Sequence, residues 1–206
     1  EKPRNEELPS KRGEIYKNMA LILVQNGKVA EAKKAIAEAR VANPEDKTLI
    51  LTEANLYLDT KDFDTYKKLI TEVLAQSPND ADLVFNLGVI SYNAKNLVEA
   101  EKYYKRAIEI KPDYVNAYLN LAILKLDADK KLFEEIQKLG NSEKDNKRYE
   151  VLKKQREVVF TSALPYLEKA SELDGSNEEV KGTLLSVYRA LEMTEKAKAL
   201  KAKMKK

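Results

Sequence analysis

Asn18, Thr52, Asn86 and Asn120 follow one another at intervals of 34 residues, and Thr183 continues the row after a longer gap. An Asn side chain carries one acceptor and two donors, and a hydroxyl both donates and accepts. An evenly spaced row of them therefore has the chemistry to pair with the backbone of an extended peptide whatever its side chains are. The same groups could equally satisfy a neighbouring helix within the fold, and the row alone leaves both readings open. Other chemistries are removed by composition. The 206 residues include no Cys and no His, which excludes disulfides, zinc-finger ligand sets, nucleophiles served by a histidine base and imidazole proton shuttles. The 34 Asp and Glu come with no Gly-rich phosphate loop, metal-ligand cluster or nucleophile setting. The chain reads as non-enzymatic, with no cofactor and no metal.

The elements that would carry this row are helices. Pro44, Pro78 and Pro112 also stand 34 residues apart, each after a run with apolar residues at helical spacing. Asn43-Pro44, Ser77-Pro78 and Lys111-Pro112 read as helix stops, because proline lacks the N–H and restricts the residue before it. Small residues recur at Ala20, Ala54 and Ala122 and again at Ala32, Ala100, Ala163 and Ala197, where they let helix backbones approach closely. Tyr66 breaks the second series and predicts looser or rotated packing. Only six Gly and six Pro, with 34% charged residues, suit an all-α protein.

Val84, Leu87-Gly88, Ala100, Tyr104, Ala107 and Pro112 carry a resemblance to the tetratricopeptide repeat family, whose unit is a helix, a tight turn and a second helix. The resemblance implies a right-handed α-solenoid of five helix pairs. It divides the chain into an extended arm over 1–12 and a single domain over 13–206, with units at 13–46, 47–80, 81–114, 115–177 and 178–206. In the family, first helices line a concave groove. Carried onto this chain, the groove takes Asn18, Thr52, Asn86 and Asn120 from the row, with Leu51, Phe85, Leu119, Val89, Tyr92 and Ile123 as an apolar wall. Each apolar residue singly is also a fitting core residue. The implied function is a protein-interaction module that binds a peptide or partner segment in the groove. The family's carboxylate clamp is absent, because Leu21 follows Lys17 and Leu51, Phe85 and Leu119 occupy the later basic positions.

The fourth unit is enlarged by 29 residues, at about 129–158. Leu126, Phe133 and Ile136 on one side match Tyr149, Leu152, Val159 and Ala163 on the other, which predicts an antiparallel helical hairpin prolonging both helices. Gly140-Asn141-Ser142 supplies the turn, and Ser142 with Asp145 caps the returning helix. Pro165 predicts a kink near Thr161. A structural or self-assembly scaffold using this hairpin, as a homo-oligomer, is the alternative function.

The insert holds nine Lys or Arg against seven Asp or Glu, a balance that suits a solvated hairpin. The Lys-rich end from Lys196 to Lys206 suits a polar terminal cap with Ala197, Leu200 and Met204 inward. Without interleaved aromatics, and at a net charge of +3, it gives no nucleic-acid site. No run is long and apolar enough for an integral membrane segment. At the other end the charged arm leads to Ser10 as N-cap of the first helix, and the arm itself could cover the groove. The chain begins at Glu1 without Met, which reads as a fragment or matured segment. The strings from Pro9 to Ile15, from Leu139 to Tyr149 and from Ala163 to Ala170 resemble a bacterial tetratricopeptide family with this insertion and no assigned activity. That resemblance implies an exported or periplasmic protein.

Overall fold

A computed structural model describes residues 9–204, with side chains from residue 13 onward. Among the described residues there are ten α-helices and no strand. They are α1 (Pro9–Gln25), α2 (Val29–Ala42), α3 (Lys47–Asp59), α4 (Phe63–Gln76), α5 (Ala81–Asn93), α6 (Leu97–Ile110), α7 (Val115–Ile136), α8 (Glu143–Leu173), α9 (Glu178–Ala190) and α10 (Thr194–Lys203). The chain divides into two compact units, with the boundary between Leu83 and Val84 inside α5.

Local chemistry sets the helix ends. The proline stops act as expected: α2, α4 and α6 end at Ala42, Gln76 and Ile110, and the residues before the prolines take φ of −141°, −137° and −130°. The starts are capped by side chains that accept from first-turn N–H groups, Asp46 for α3, Asp62 for α4, Asn96 for α6 and Asn177 for α9. The turns inside the helix pairs follow a second rule that the sequence hides. Gly27, Lys61, Lys95 and Glu192 all take positive φ, between 56° and 75°. After each of them the next N–H reaches back to a carbonyl five residues earlier, as in Lys28 to Leu23, Asp62 to Tyr57, Asn96 to Ser91 and Met193 to Tyr188. This is the Schellman closure, normally built with glycine, and three of the four positions carry a charged residue instead.

The first unit has a core of Ala20, Ala32, Ile36, Ala39, Leu49 and Leu56. Arg40 of α2 ties it by donating to Glu53 of α3 at 2.5 Å and to Glu72 of α4 at 2.6 Å. Tyr66, expected to loosen α4, is buried, so the unit closes around the ring. The expected arm over 1–12 is also corrected: α1 starts at Pro9, a residue suited to a first helical turn, so Ser10 lies inside the helix and is not its cap. The rest of the arm lies outside the described residues.

In the second unit, Leu119, Ala122, Ala163, Leu167, Ala170, Val180 and Leu184 form one core with α9 and α10. Lys196, Lys198, Lys201 and Lys203 of α10 are exposed while Ala197 and Leu200 are buried. The insert forms the expected hairpin, α7 and α8 running 22 and 31 residues. Ser142 and Asp145 make a full capping box, and α8 continues through Pro165. The seam is narrower than the pattern suggests. Leu152 and Ala163 are fully buried, but Phe133 and Tyr149 remain 46% and 43% exposed. Phe133 instead lies 5.1 Å from the Arg156 guanidinium, which also makes a two-pronged bond to Asp129 at 2.6 and 2.9 Å.

Candidate functional site

Helical spacing puts Phe85, Val89 and Tyr92 on one face of α5, and Asn120, Ile123 and Asp127 on one face of α7. Phe85, Val89 and Tyr92 rest partly buried on the cluster of Ala100, Tyr104, Leu121 and Leu124. The Phe85 ring lies 5.7 Å from Tyr104 and 5.0 Å from Tyr114, tilted in both cases, a favourable aromatic arrangement. Gly88 makes this possible. A Cβ there would lie 2.6 Å from the Tyr104 ring, so only glycine lets the buried tyrosine lie flat against α5.

The polar groups are sorted by burial. Burial, helped by the neighbouring Tyr92, pushes the Tyr104 phenol up to about 12 against a hydrogen bond from Asn120. It is therefore a neutral hydroxyl at physiological pH. Tyr92 is also raised, first by burial and then by the Asp127 charge, and its hydroxyl donates to that carboxylate. Asp127 is lowered, chiefly by the Lys130 ammonium 2.7 Å away. The face thus offers apolar rings edged by a fixed, ionised carboxylate.

The asparagine row meets three different fates. Thr52 is buried, and its hydroxyl donates to the Thr48 carbonyl at 2.6 Å. Thr183 likewise donates to Glu179 at 2.8 Å. Asn120 is half-buried on Tyr104. Only Asn18, in α1 of the first unit, and Asn86, in α5 of the second, are exposed, and neither side chain is hydrogen-bonded among the described residues. Of the apolar wall, Leu51 in the first unit and Phe85, Val89, Tyr92 and Ile123 in the second are half-buried. Leu119 is buried at the centre of the α7–α9 core, so it contributes to packing and not to a surface. Asp127 escaped sequence reasoning. Its one signal was a place one turn beyond Ile123 on the same face.

The hairpin produces a second feature. α7 and α8 outrun their neighbours, because α6 begins only at Leu97 and α9 ends at Ala190. A cleft opens on each flank. One, of about 610 Å³, is lined mainly by Leu97, Leu124, Leu132, Val158 and Val159. The other, of about 390 Å³, lies among Tyr149, Lys153, Arg156, Phe160, Leu191 and Glu192. Among the described residues no group of acidic side chains is placed to hold a metal ion, and no helix is long and apolar enough to cross a membrane.

Residues 51–115 match the tetratricopeptide repeat family model, and the chain is a tetratricopeptide repeat protein with the corresponding all-α solenoid fold. Solved structures of MamA share that fold. A crystal structure of MamA is 14% identical, with a TM-score of 0.63 over 94% of this chain and 90% of that one. A MamA double mutant, 14% identical, gives 0.64 over 93% and 92%. MamA from Desulfovibrio magneticus RS-1, residue 41 to its end, is 14% identical and gives 0.61 over 94% and 92%. No curated protein matches the chain.

Proposed function

We propose that this chain is a non-catalytic protein-interaction module and that the α5–α7 face of its second unit holds an extended segment of a partner protein. The observation that carries this reading is Asn86. Its amide is exposed and free of hydrogen bonds among the described residues, and it adjoins Phe85, with Val89 and Tyr92 one and two turns away. An unpaired amide beside half-buried rings can pair with a peptide backbone while the rings take an apolar side chain. Asp127 adds a preference for a basic residue in the bound segment. Peptides selected on the wild-type protein from a random decapeptide library test the reading. Asn86→Ala should weaken them by about fivefold, the worth of roughly 1 kcal/mol for one hydrogen bond, without altering the melting temperature. Selected peptides that bind both proteins equally would remove the α5–α7 face from consideration.

A scaffold role for the hairpin is the second reading, favoured by the apolar cleft of about 610 Å³ and by Val158 standing exposed on its rim. Under it, Val158→Glu abolishes partner capture while Asn86→Ala does not.

A further inference from the structure

α1 is apolar on two opposite sides. Tyr16, Ala20, Leu23 and Val24 face the core of the first unit. On the other side Ile15, Met19 and Ile22 stand at i, i+4 and i+7, and they are 65%, 37% and 57% exposed. They form one stripe about 10 Å long, at 1.5 Å per residue. The nearest charges avoid it. At 100° per residue Glu14 lies about a quarter-turn from Ile15, and Lys17 falls nearly opposite it. A helix with apolar residues on both sides belongs in an interior, yet nothing among the described residues covers this one.

The chain contains its own best match for the stripe. The exposed side of α10 carries Lys196, Lys198, Lys201 and Lys203, so a head-to-tail arrangement that set α1 on α10 would strip water from ammonium groups against Ile and Met. Joining α1 to α1 avoids that cost. In an antiparallel pair with a two-fold axis between residues 18 and 19, Ile15 lies opposite Ile22 of the partner subunit, Ile22 lies opposite Ile15 of the partner subunit, and Met19 sits beside the axis. The stripe is complementary to itself, which is the requirement of a two-fold interface. Opposed helix dipoles also favour the antiparallel sense.

We infer that α1 is a self-association surface through which two copies of this chain form an antiparallel, two-fold dimer. The stripe offers about 300 Å² of apolar surface per partner, under half of the roughly 800 Å² per partner of a standard interface. The dimer is accordingly weak, with a dissociation constant on the order of 10–100 μM. This surface lies in the first unit and is separate from the α5–α7 face, so either reading can fail without the other.

Sedimentation velocity on the whole chain between about 2 and 200 μM should show a shift from monomer to dimer across that range. The double variant Ile15→Glu/Ile22→Glu should remain monomeric throughout. Its substitutions are at exposed positions, so circular dichroism and melting temperature should match wild type and show that the fold is intact. The absence of cysteine from the chain supplies an independent probe. Met19→Cys puts two thiols beside the axis and should form a disulfide-linked dimer in glutathione disulfide at least tenfold faster than Val98→Cys, whose thiol stands on the exposed start of α6. A monomer at 200 μM, association that persists in Ile15→Glu/Ile22→Glu, or equal cross-linking of the two cysteine variants would each overturn the inference.

Discussion

The α5–α6 pair and the α7–α8 pair begin from the same repeat, yet different forces close them. Between α5 and α6 the contact is a glycine against a buried aromatic ring: Gly88 admits Tyr104, and Phe85 leans on Tyr104 and Tyr114. The lower parts of α7 and α8 pack in the same way, through Ala122, Ala163 and Leu167. Beyond that point the two helices have outgrown their neighbours and have only each other. Leu152 is still buried there, but Phe133, Tyr149 and Val158 are not, and alignment passes to charge. Arg156 grips Asp129, and Arg148 pairs with Glu135 at 2.7 Å. A repeat unit can bury a full apolar stripe only where it has a neighbour on each side. A pair that projects past its neighbours keeps a narrow seam and exposes the rest, and the two clefts beside the hairpin follow from this.

The largest effect should come from the seam. Leu152→Ala removes the fully buried side chain of the projecting part, and a cavity there should cost about 2–5 kcal/mol. Urea unfolding gives the size, and hydrogen exchange locates it. Amides near the hairpin turn should lose protection first, before those of α9 and α10. A loss below about 1 kcal/mol, the scale of exposed ion pairs, would mean that Arg156 and Arg148 hold the projection and that the seam does not.

Gly88→Ala probes the other pair. Its methyl group would stand 2.6 Å from the Tyr104 ring and 3.3 Å from Cβ of Tyr103. Tyr104 is buried and has nowhere to swing. Overpacking of about 1–3 kcal/mol, reduced by the roughly 1 kcal/mol that Ala gains over Gly in a helix, leaves a net loss of about 1–2 kcal/mol. The double variant Gly88→Ala/Tyr104→Phe should be no more stable, because the clash is with ring carbons. Recovery in that variant would shift the cause to the Tyr104 hydroxyl and its bond to Asn120.

The helices and their stops were legible in the sequence because prolines and small residues act locally and recur at a fixed interval. The capping box at Ser142 was legible for the same reason. What escaped depended on partners distant in sequence. Nothing about Asn120 announces that Tyr104 will occupy its amide, and nothing about Thr52 shows that its hydroxyl will turn back onto Thr48. The row at 34-residue intervals was read correctly as a pattern, but equal spacing does not make equal exposure: Asn86 stands free while Thr52 is buried. Leu119 looked like a groove residue because it precedes Asn120 as Phe85 precedes Asn86, yet α9 covers it. Lys61, Lys95 and Glu192 concealed their left-handed turns because the closure is defined by the backbone, and glycine eases it without being required.

The smallest effect concerns the joint between the two pairs compared above. Glu101 of α6 lies 2.8 Å from Lys105 and 2.7 Å from Lys125 of α7. Hydrogen bonds from Lys105 first and Lys125 second hold its carboxyl below the ordinary value of 4.5, against a smaller opposing effect of burial. A carboxylate with a depressed folded-state pKa binds protons less readily in the native state than in the unfolded chain. Its stabilisation is therefore complete above about pH 4.5 and disappears as the pH falls through the lowered folded value. Both lysines and the glutamate are partly exposed, so solvent screening limits the contribution to a fraction of a kcal/mol, of order 0.5. In Glu101→Gln the melting temperature should fall slightly at pH 7, and the difference from wild type should shrink steadily as the pH drops below about 4.5 and vanish in acid. A gap that stays constant with pH would show that Glu101 joins α6 to α7 by packing of its stem, and the joint between the regular and enlarged pairs would then rest on shape alone.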